Sequence, residues 1–267
     1  YVKVTIDAPV ESVKEMEDKL KNIFHLKEVF VSPNLVDDEE INLRDTCRAL
    51  AGNLDKYIID NTIVAVSWGN TLNCLAGQIQ PLKAKDIKVV QLNGGVAKSA
   101  SSTGASQIVD ALTMAGHGVG YMFPVPAIVD SKLTSDILQQ ETQVKNVLRL
   151  AKEAEVSIFS IGALSKESIL YEVGYLKEED FQALEKNKAV GDIASRYFDI
   201  NGNIALKELD DRVVGFGLEE LREKEWTIAI AVGVNKVDAI IGALRAGFMN
   251  VFYTDEKTAR ELLNRCA

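Results

Sequence analysis

The residues of this chain best suited to chemistry stand where runs of β-forming residues end. Val66-Ser67-Trp68-Gly69-Asn70-Thr71-Leu72 follows one such run. Gly69 permits close backbone approach, and Asn70 or Thr71 can cap the helix that follows. Free N–H groups and the positive helix end would then face a bound anion. A plain strand-to-helix turn would use the same residues. Gln91-Leu92-Asn93-Gly94-Gly95 closes a second run. Its paired glycines suit a ligand pressed against backbone or a tight turn, and Ser99, Ser101, Ser102 and Thr103 add hydroxyls nearby. In Ala231-Val232-Gly233-Val234-Asn235-Lys236 the run stops at Gly233. Lys236 then falls in the first turn of the next helix, where a lysine opposes the dipole. A bound phosphate would give it a reason to be there; a flexible stem reaching water is the alternative.

Gly191-Asp192-Ile193 and Arg196 form a fourth group. The carboxylate could accept hydrogen bonds from sugar hydroxyls, and the arginine could pair with it or reach a phosphate. A purely structural Asp–Arg pair fits equally. Asp255 reads as the N-cap of a helix over 256–265. No Ser-His-Asp or Cys-His constellation, metal-ligand cluster, dinucleotide fingerprint or Walker motif is present. No cofactor and no metal are therefore expected, and Asp192 is the one candidate base, without a partner acid. His25 and His117 lie far apart and read as structural or exposed. Cys47, Cys74 and Cys266 are an odd count without metal-like spacing. They fit a reducing cytoplasm, with Cys74 as a small core residue.

The chain has 267 residues, 47% hydrophobic and 26% charged, which is enough for a sizeable core in one domain or two. No apolar run approaches the ~18 residues of a membrane span, and no signal peptide pattern opens the chain. A net charge of −9 with no dense Lys/Arg cluster argues against tight DNA binding by this chain alone. The sequence begins at Tyr1 in a strand-like pattern, Val2–Ile6, as though something precedes it. A processed or tagged start reads the same way.

Apolar residues at helical spacing over 10–24 predict a helix, Leu26–Ser32 a strand, and Asp37 to about Ile58 a long helix with an acidic first turn. Strand-like runs then recur at Thr62–Ser67, Ile87–Leu92, Val119–Val125, Val156–Ile161, Trp226–Val232 and Asn250–Thr254. Helices are expected between them, centred near residues 75, 110, 145, 240 and 260. Nearly continuous apolar strands alternating with helices predict an α/β fold, a doubly wound, mostly parallel sheet flanked by helices. The rhythm breaks over 164–217. A charged helix at Glu178–Asn187 and an Asn201-Gly202 hairpin signal predict a small inserted subdomain or lid there.

Together, VSWGNTL, VQLNGGV, YMFPVPAIVDS, IFSIGAL, VGDIASRYFDINGN, IAIAVGVNKVDAIIGALRAG and VFYTDEKTA resemble the effector-binding domain of the SorC family of bacterial transcription regulators. The match is collinear and covers nearly the whole chain. The resemblance implies a fold similar to sugar-phosphate isomerases and glucosamine-6-phosphate deaminase, spanning 1–267. It also implies an N-terminal helix-turn-helix domain, apparently absent here, that carries all DNA contact. The partner it implies is a phosphorylated sugar effector, sensed in the cytoplasm by a homodimer or homotetramer with no membrane contact. Carried over by position, Gly69, Asn70 and Thr71 match a phosphate-cradling turn, and Asn93, Gly94 and Gly95 a second ligand loop. Asp192 and Lys236 match the remaining polar contacts. Two departures stand out. Asn93 has no amine and cannot form a Schiff base, and Met122-Phe123-Pro124-Val125-Pro126 replaces the commoner leucine-proline pattern near Tyr121. An active isomerase or deaminase on the same fold is the alternative function, and an assembly domain with a vestigial pocket a third.

Overall fold

The computed structural model describes residues 12–95 and 105–266. The expected strand at Val2–Ile6 and the hydroxyls of Ser99, Ser101, Ser102 and Thr103 lie outside the described residues.

Helix α1 (Val13–Phe24) opens on a reciprocal cap, in which the Ser12 hydroxyl accepts from the Glu15 N–H and the Glu15 carboxylate accepts from the Ser12 N–H. It buries Met16 and Leu20, one turn apart, and ends on His25 in the left-handed region. Strand β1 (Glu28–Ser32) leads to α2 (Glu39–Asn53), which Asp38 caps. The cap places the helix start after Asp37. Its far end tightens into a 3-10 turn at Leu54–Lys56, short of the predicted Ile58. Next come β2 (Ile63–Val66), α3 (Asn70–Ala76), β3 (Lys88–Gln91), α4 (Ala105–Ala115) and β4 (Val119–Tyr121). His117, like His25, is exposed with a positive φ, so both histidines serve as turn residues. Helix α5 (Lys132–Gln140), capped by Ser131, is not marked by the sequence pattern; α6 (Thr142–Glu153) and β5 (Val156–Ser160) follow it as predicted.

A short strand β6 (Gly162–Ala163) precedes α7 (Ile169–Glu172) and α8 (Glu178–Lys186). Then come β7 (Ala189–Ile193), β8 (Arg196–Asp199), α9 (Lys207–Asp210), β9 (Trp226–Ile230), α10 (Val237–Arg245), β10 (Val251–Asp255) and α11 (Glu256–Cys266). Asp255 accepts from the Thr258 N–H in the first turn of α11, as an N-cap should.

The described residues form a seven-stranded sheet in the order β1-β10-β9-β5-β2-β3-β4, with every pairing parallel. Both faces are apolar because successive side chains point opposite ways. Val64 and Val66 enter a core shared with α2, α3 and α4, whereas Ala65 enters one shared with α1, α6, α10 and α11. The same alternation separates Ile158 from Phe159 and Ile228 from Ala229. The chain winds outward from β2 to β4, then returns to lay β5 against the other side of β2. Strand order therefore reverses between β2 and β5, and such reversals open a crevice at the carboxyl ends of the strands.

Residues 164–217, where the rhythm fails, hold α7–α9 and most of a second sheet in the order β6-β7-β8, antiparallel throughout. This sheet lies against α10 at van der Waals limits. A Cβ on Gly191 would sit 2.5 Å from the Ala239 Cβ, and one on Gly242 would sit 2.7 Å from the Asp199 carbonyl oxygen. The predicted Asn-Gly feature is a turn in which Asp199 accepts from the N–H groups of Asn201 and Asn203. The tighter hairpin is elsewhere. β7 and β8 are joined at Ala194 (φ 50) and Ser195 (φ 69), both left-handed without a glycine.

The glycines give a test with opposite signs. Gly52 is exposed within α2, and a methyl group added there would meet open space, whereas one added at Gly242 would meet backbone and the Phe198 ring. Gly52→Ala is expected to stabilise by ~0.5–1 kcal/mol and Gly242→Ala to destabilise by ~1–3 kcal/mol, both read from urea unfolding. Equal effects would show that α10 is not packed this closely.

Candidate functional site

At the crevice between β2 and β5 lies a cavity of about 270 Å³. Three strand ends of the large sheet reach it: Ser67–Thr71 after β2, Ser160–Gly162 after β5, and Asn235 and Lys236 after β9. Asn93, after β3, and the β7–β8 hairpin complete the wall with Asp192, Ala194 and Ser195. The loop before α7 adds Ser165, Glu167 and Ser168. Six of the eight sequence-predicted residues thus meet in one place: Gly69, Asn70, Thr71, Asn93, Asp192 and Lys236.

Gly69 takes φ 132 and ψ 176, a conformation that strains any residue with a Cβ. It lets the chain turn from β2 into α3 with no side-chain cap on the helix start. The first N–H groups of α3 have no intrahelical acceptor. Trp68, just before the turn, inserts into a third apolar cluster with Ile128, Leu170 and Tyr197, beneath the small sheet. Its indole N–H donates to the Gly94 carbonyl at 2.9 Å.

Gly94 and Gly95 do not line the cavity. A Cβ on Gly94 would fall 2.4 Å from the Pro126 carbonyl oxygen, and the N–H groups of Gly94 and Gly95 donate to Val214 and Val125. At Gly94 smallness serves backbone packing, whereas a Cβ on Gly95 would meet open space; neither glycine stands in the cavity wall, where the Asn93-Gly94-Gly95 expectation put them. Tyr121 is not in the wall either; it packs against the core. Asn93 stands apart from its neighbours. It is 1% exposed and donates from Nδ2 to the Ser195 hydroxyl at 3.0 Å, while its Oδ1 is buried without a partner. A buried acceptor left unsatisfied costs ~1–3 kcal/mol, so its presence asks for a reason.

Asp192 accepts from the Ser195 N–H at 3.0 Å. Burial raises its carboxyl to about 6, opposed by that hydrogen bond and by the charge of Lys236. Arg196 does not pair with it. Instead Arg196 is buried against Asp210 at 2.6 Å and donates to the carbonyls of Gly215 and Phe216. The structural alternative for this arginine is therefore the one realised, with Asp210 rather than Asp192 as partner. The clamp ties the hairpin to the segment that pairs with Asn93, through the Asn93–Gly215 bridge.

Lys236 occupies the last residue of a 3-10 turn, Val234–Lys236, and caps α10 instead of lying in its first turn. It is half-buried, and burial pushes its ammonium below the usual lysine range, with Glu39 and Asp192 opposing. That ammonium makes no hydrogen bond or close ion pair among the described residues. A half-buried cation at helix and strand ends, with uncapped N–H groups nearby, has the chemistry to attract an anion, and Asp192 and the Asn93 Oδ1 have the chemistry to accept from hydroxyl donors. The sequence reading missed Ser195, Ser160 and the Glu167–Ser168 loop. The only available signal for Ser195 was its place in GDIASR, between two residues already singled out. Among the described residues no group of three or more His, Cys, Asp or Glu side chains is placed to hold a metal, and no helix is long and apolar enough to cross a membrane.

Residues 8–264 match the family model described as "Putative sugar-binding domain". The chain belongs to this family, the sugar-binding domains of SorC/DeoR-like transcriptional regulators. It is 33% identical to the deoxyribonucleoside regulator of Bacillus subtilis over 264 residues, covering 99% of this chain and 84% of that protein. It is 29% identical to the transcriptional regulator LsrR of Escherichia coli K12 over 98% of this chain and 81% of that one. Among solved structures, a DeoR family transcriptional regulator from Listeria monocytogenes superposes with a TM-score of 0.86. That match has 28% identity over 94% of this chain and 99% of that one. The sugar-binding domain accordingly has a regulatory, ligand-sensing role.

Asp192 offers a test of the cavity's electrostatics. Its folded-state pKa lies above the ordinary value, so ionising it costs stability, and the cost grows from pH 3.8 to about 6 and is complete above that. Asp192→Asn is expected to stabilise the fold, by ~1 kcal/mol more near pH 8 than near pH 5, in urea titrations. A gain independent of pH would mean that the carboxylate is not desolvated.

Proposed function

We propose that the cavity binds a phosphorylated sugar, with the phosphate at Lys236 and the Gly69-Asn70-Thr71 turn and the hydroxyls at Asp192 and Asn93. The observation that carries this reading is the half-buried Lys236 ammonium, which lacks an ion-pair partner among the described residues and shares a cavity with the half-buried Asp192 carboxylate and the buried Asn93 Oδ1. A phosphate would offset the desolvation of that cation, and a ligand hydroxyl would satisfy the Asn93 Oδ1. The volume suits a molecule with a few ring carbons and one phosphate. Asn93 has no nucleophilic amine, so binding at that position is non-covalent.

In this reading the sugar is sensed and not transformed. Occupancy favours one arrangement of a cytoplasmic homo-oligomeric regulator and so alters operator binding by a separate DNA-binding module. To move a balance from 1:99 to 99:1, the ligand needs ~5.5 kcal/mol of differential affinity. Several charge-assisted hydrogen bonds, at ~1.5–3 kcal/mol each, are of that order. Catalysis has one observation in its favour. Asp192, with its carboxyl raised to about 6 inside a cleft, resembles a general base. Turnover of ribose 5-phosphate or glucosamine 6-phosphate that Asp192→Asn abolishes would establish an enzyme in place of a sensor.

Titration calorimetry with pentose 5-phosphates and hexose 6-phosphates tests the sensing reading. Lys236→Ala is expected to weaken the best of them ten- to hundred-fold, roughly the loss of one charged hydrogen bond, with the unfolding curve preserved. The absence of binding to any of them at millimolar concentration would refute a phosphosugar site.

A further inference from the structure

Cys47 and Cys74 lie on α2 and α3, two helices that share the core on one face of the large sheet. The Cys47 thiol is fully buried and donates to the Thr71 carbonyl at 3.7 Å. Thr71 stands in the first turn of α3 and lines the cavity. In a helix the side chain three residues further on covers the same turn. Cys74 therefore lies one turn on from the carbonyl that Cys47 meets, and both cysteines belong to the same apolar cluster between α2 and α3. Neither cysteine lines the cavity, and Cys74 is half-buried, within reach of solutes. Cys74, expected to be a small core residue, packs against the core while half-buried, and Cys47 is the cysteine fully inside it.

The thiols act on each other. Cys47 draws the Cys74 thiol below its ordinary value, helped by Arg44 and opposed by burial and by Glu40. The Cys47 thiol is pushed far above its ordinary range by Cys74 and by burial, while Lys236 pulls the other way. A cysteine lowered in this way carries more thiolate at neutral pH than a free one, and thiolates are the nucleophiles.

We propose that Cys47 and Cys74 are an oxidative modification site joined to the ligand cavity, with Cys74 reacting first and Cys47 closing a disulfide. The Cys74 thiolate attacks one oxygen of a hydroperoxide, the O–O bond breaks, and the other oxygen leaves with a proton as water or alcohol. The product is a sulfenic acid on Cys74. The Cys47 sulfur then attacks that sulfur, an S–S bond forms, and the hydroxide expelled takes the Cys47 proton as water. Two thiols lose two electrons and one peroxide gains them. A disulfide holds its sulfurs ~2.05 Å apart, so the Cys47 Sγ must leave the Thr71 carbonyl. The first turn of α3 shifts, and with it the Gly69–Thr71 wall. This last step rests on the phosphosugar reading; the thiol chemistry does not.

The test treats the protein with a small excess of hydrogen peroxide. Peptide mapping is expected to find Cys47 linked to Cys74 and Cys266 still free to alkylate. Ribose 5-phosphate affinity is expected to fall by about tenfold or more and to return with dithiothreitol. Cys74→Ser should abolish both effects, and Cys47→Ser should leave a sulfenic acid on Cys74 that dimedone traps. Linkage through Cys266, or over-oxidation of Cys74 with no linkage, overturns the pair. Linkage with unchanged affinity overturns the coupling. If the reduced protein binds no sugar phosphate, the sensing reading and the coupling fall together, whereas peptide mapping still decides the pair.

Discussion

A parallel sheet covered on both faces has only its ends to offer to solvent. In this chain Val64, Val66, Ile158 and Ile228 fill one core, and Ala65, Phe159 and Ala229 fill the other. These central strands spend their side chains on packing and leave little for recognition. Polar function is thereby driven to the carboxyl ends, and the reversal of winding between β2 and β5 fixes where along that edge a cavity opens. Everything else at the site is an answer to that placement. Gly69 turns the chain sharply enough to leave the start of α3 open, and Trp68 wedges the small sheet against the large one.

The two walls of the cavity come from different sheets, and Asn93, Ser195 and Asp192 stitch them together. The Ser195 hydroxyl accepts from Asn93, its N–H donates to Asp192, and its backbone is held left-handed. Such a conformation costs ~1–3 kcal/mol in a residue other than glycine and persists only where the surroundings enforce it. Arg196, clamped on Asp210 and two carbonyls, is the enforcing neighbour. The charge pattern is equally unrelaxed. A lysine and an aspartate are both half-buried, each moved toward its neutral form by burial and back by the other.

The large sheet was legible because its strands are continuous apolar runs, each stopped by Gly, Ser or Asp, and the order of those stops gave the alternation with helices. Six of the eight expected residues line one cavity for the same reason, since strand ends in such a sheet converge. Gly94 is the harder case, because a glycine pressed on by Pro126 looks, in sequence, like one pressed on by a ligand. The β7–β8 hairpin is hard to see because Ala194-Ser195 carries none of the Asn-Gly chemistry that normally marks such a turn. Helix α5 went unread because only one helix, centred near residue 145, was expected between β4 and β5. The partner of Arg196 could not be read either, because Asp210 reaches it through folding of the small sheet and not through helix or strand spacing.

Trp68 and Trp226 are the two tryptophans of the chain, and they sit at opposite ends of the large sheet. Trp226 begins β9, under the Lys27 ammonium and edge-on to Tyr57, far along the strand from the cavity. Trp68 lines the cavity itself, its indole nitrogen committed to the Gly94 carbonyl. Any molecule entering the crevice changes the polarity around one indole and leaves the other as an internal standard. The wedge that locks the two sheets together is, in consequence, also a built-in optical gauge of occupancy, readable in the unlabelled protein by the colour of its own emission.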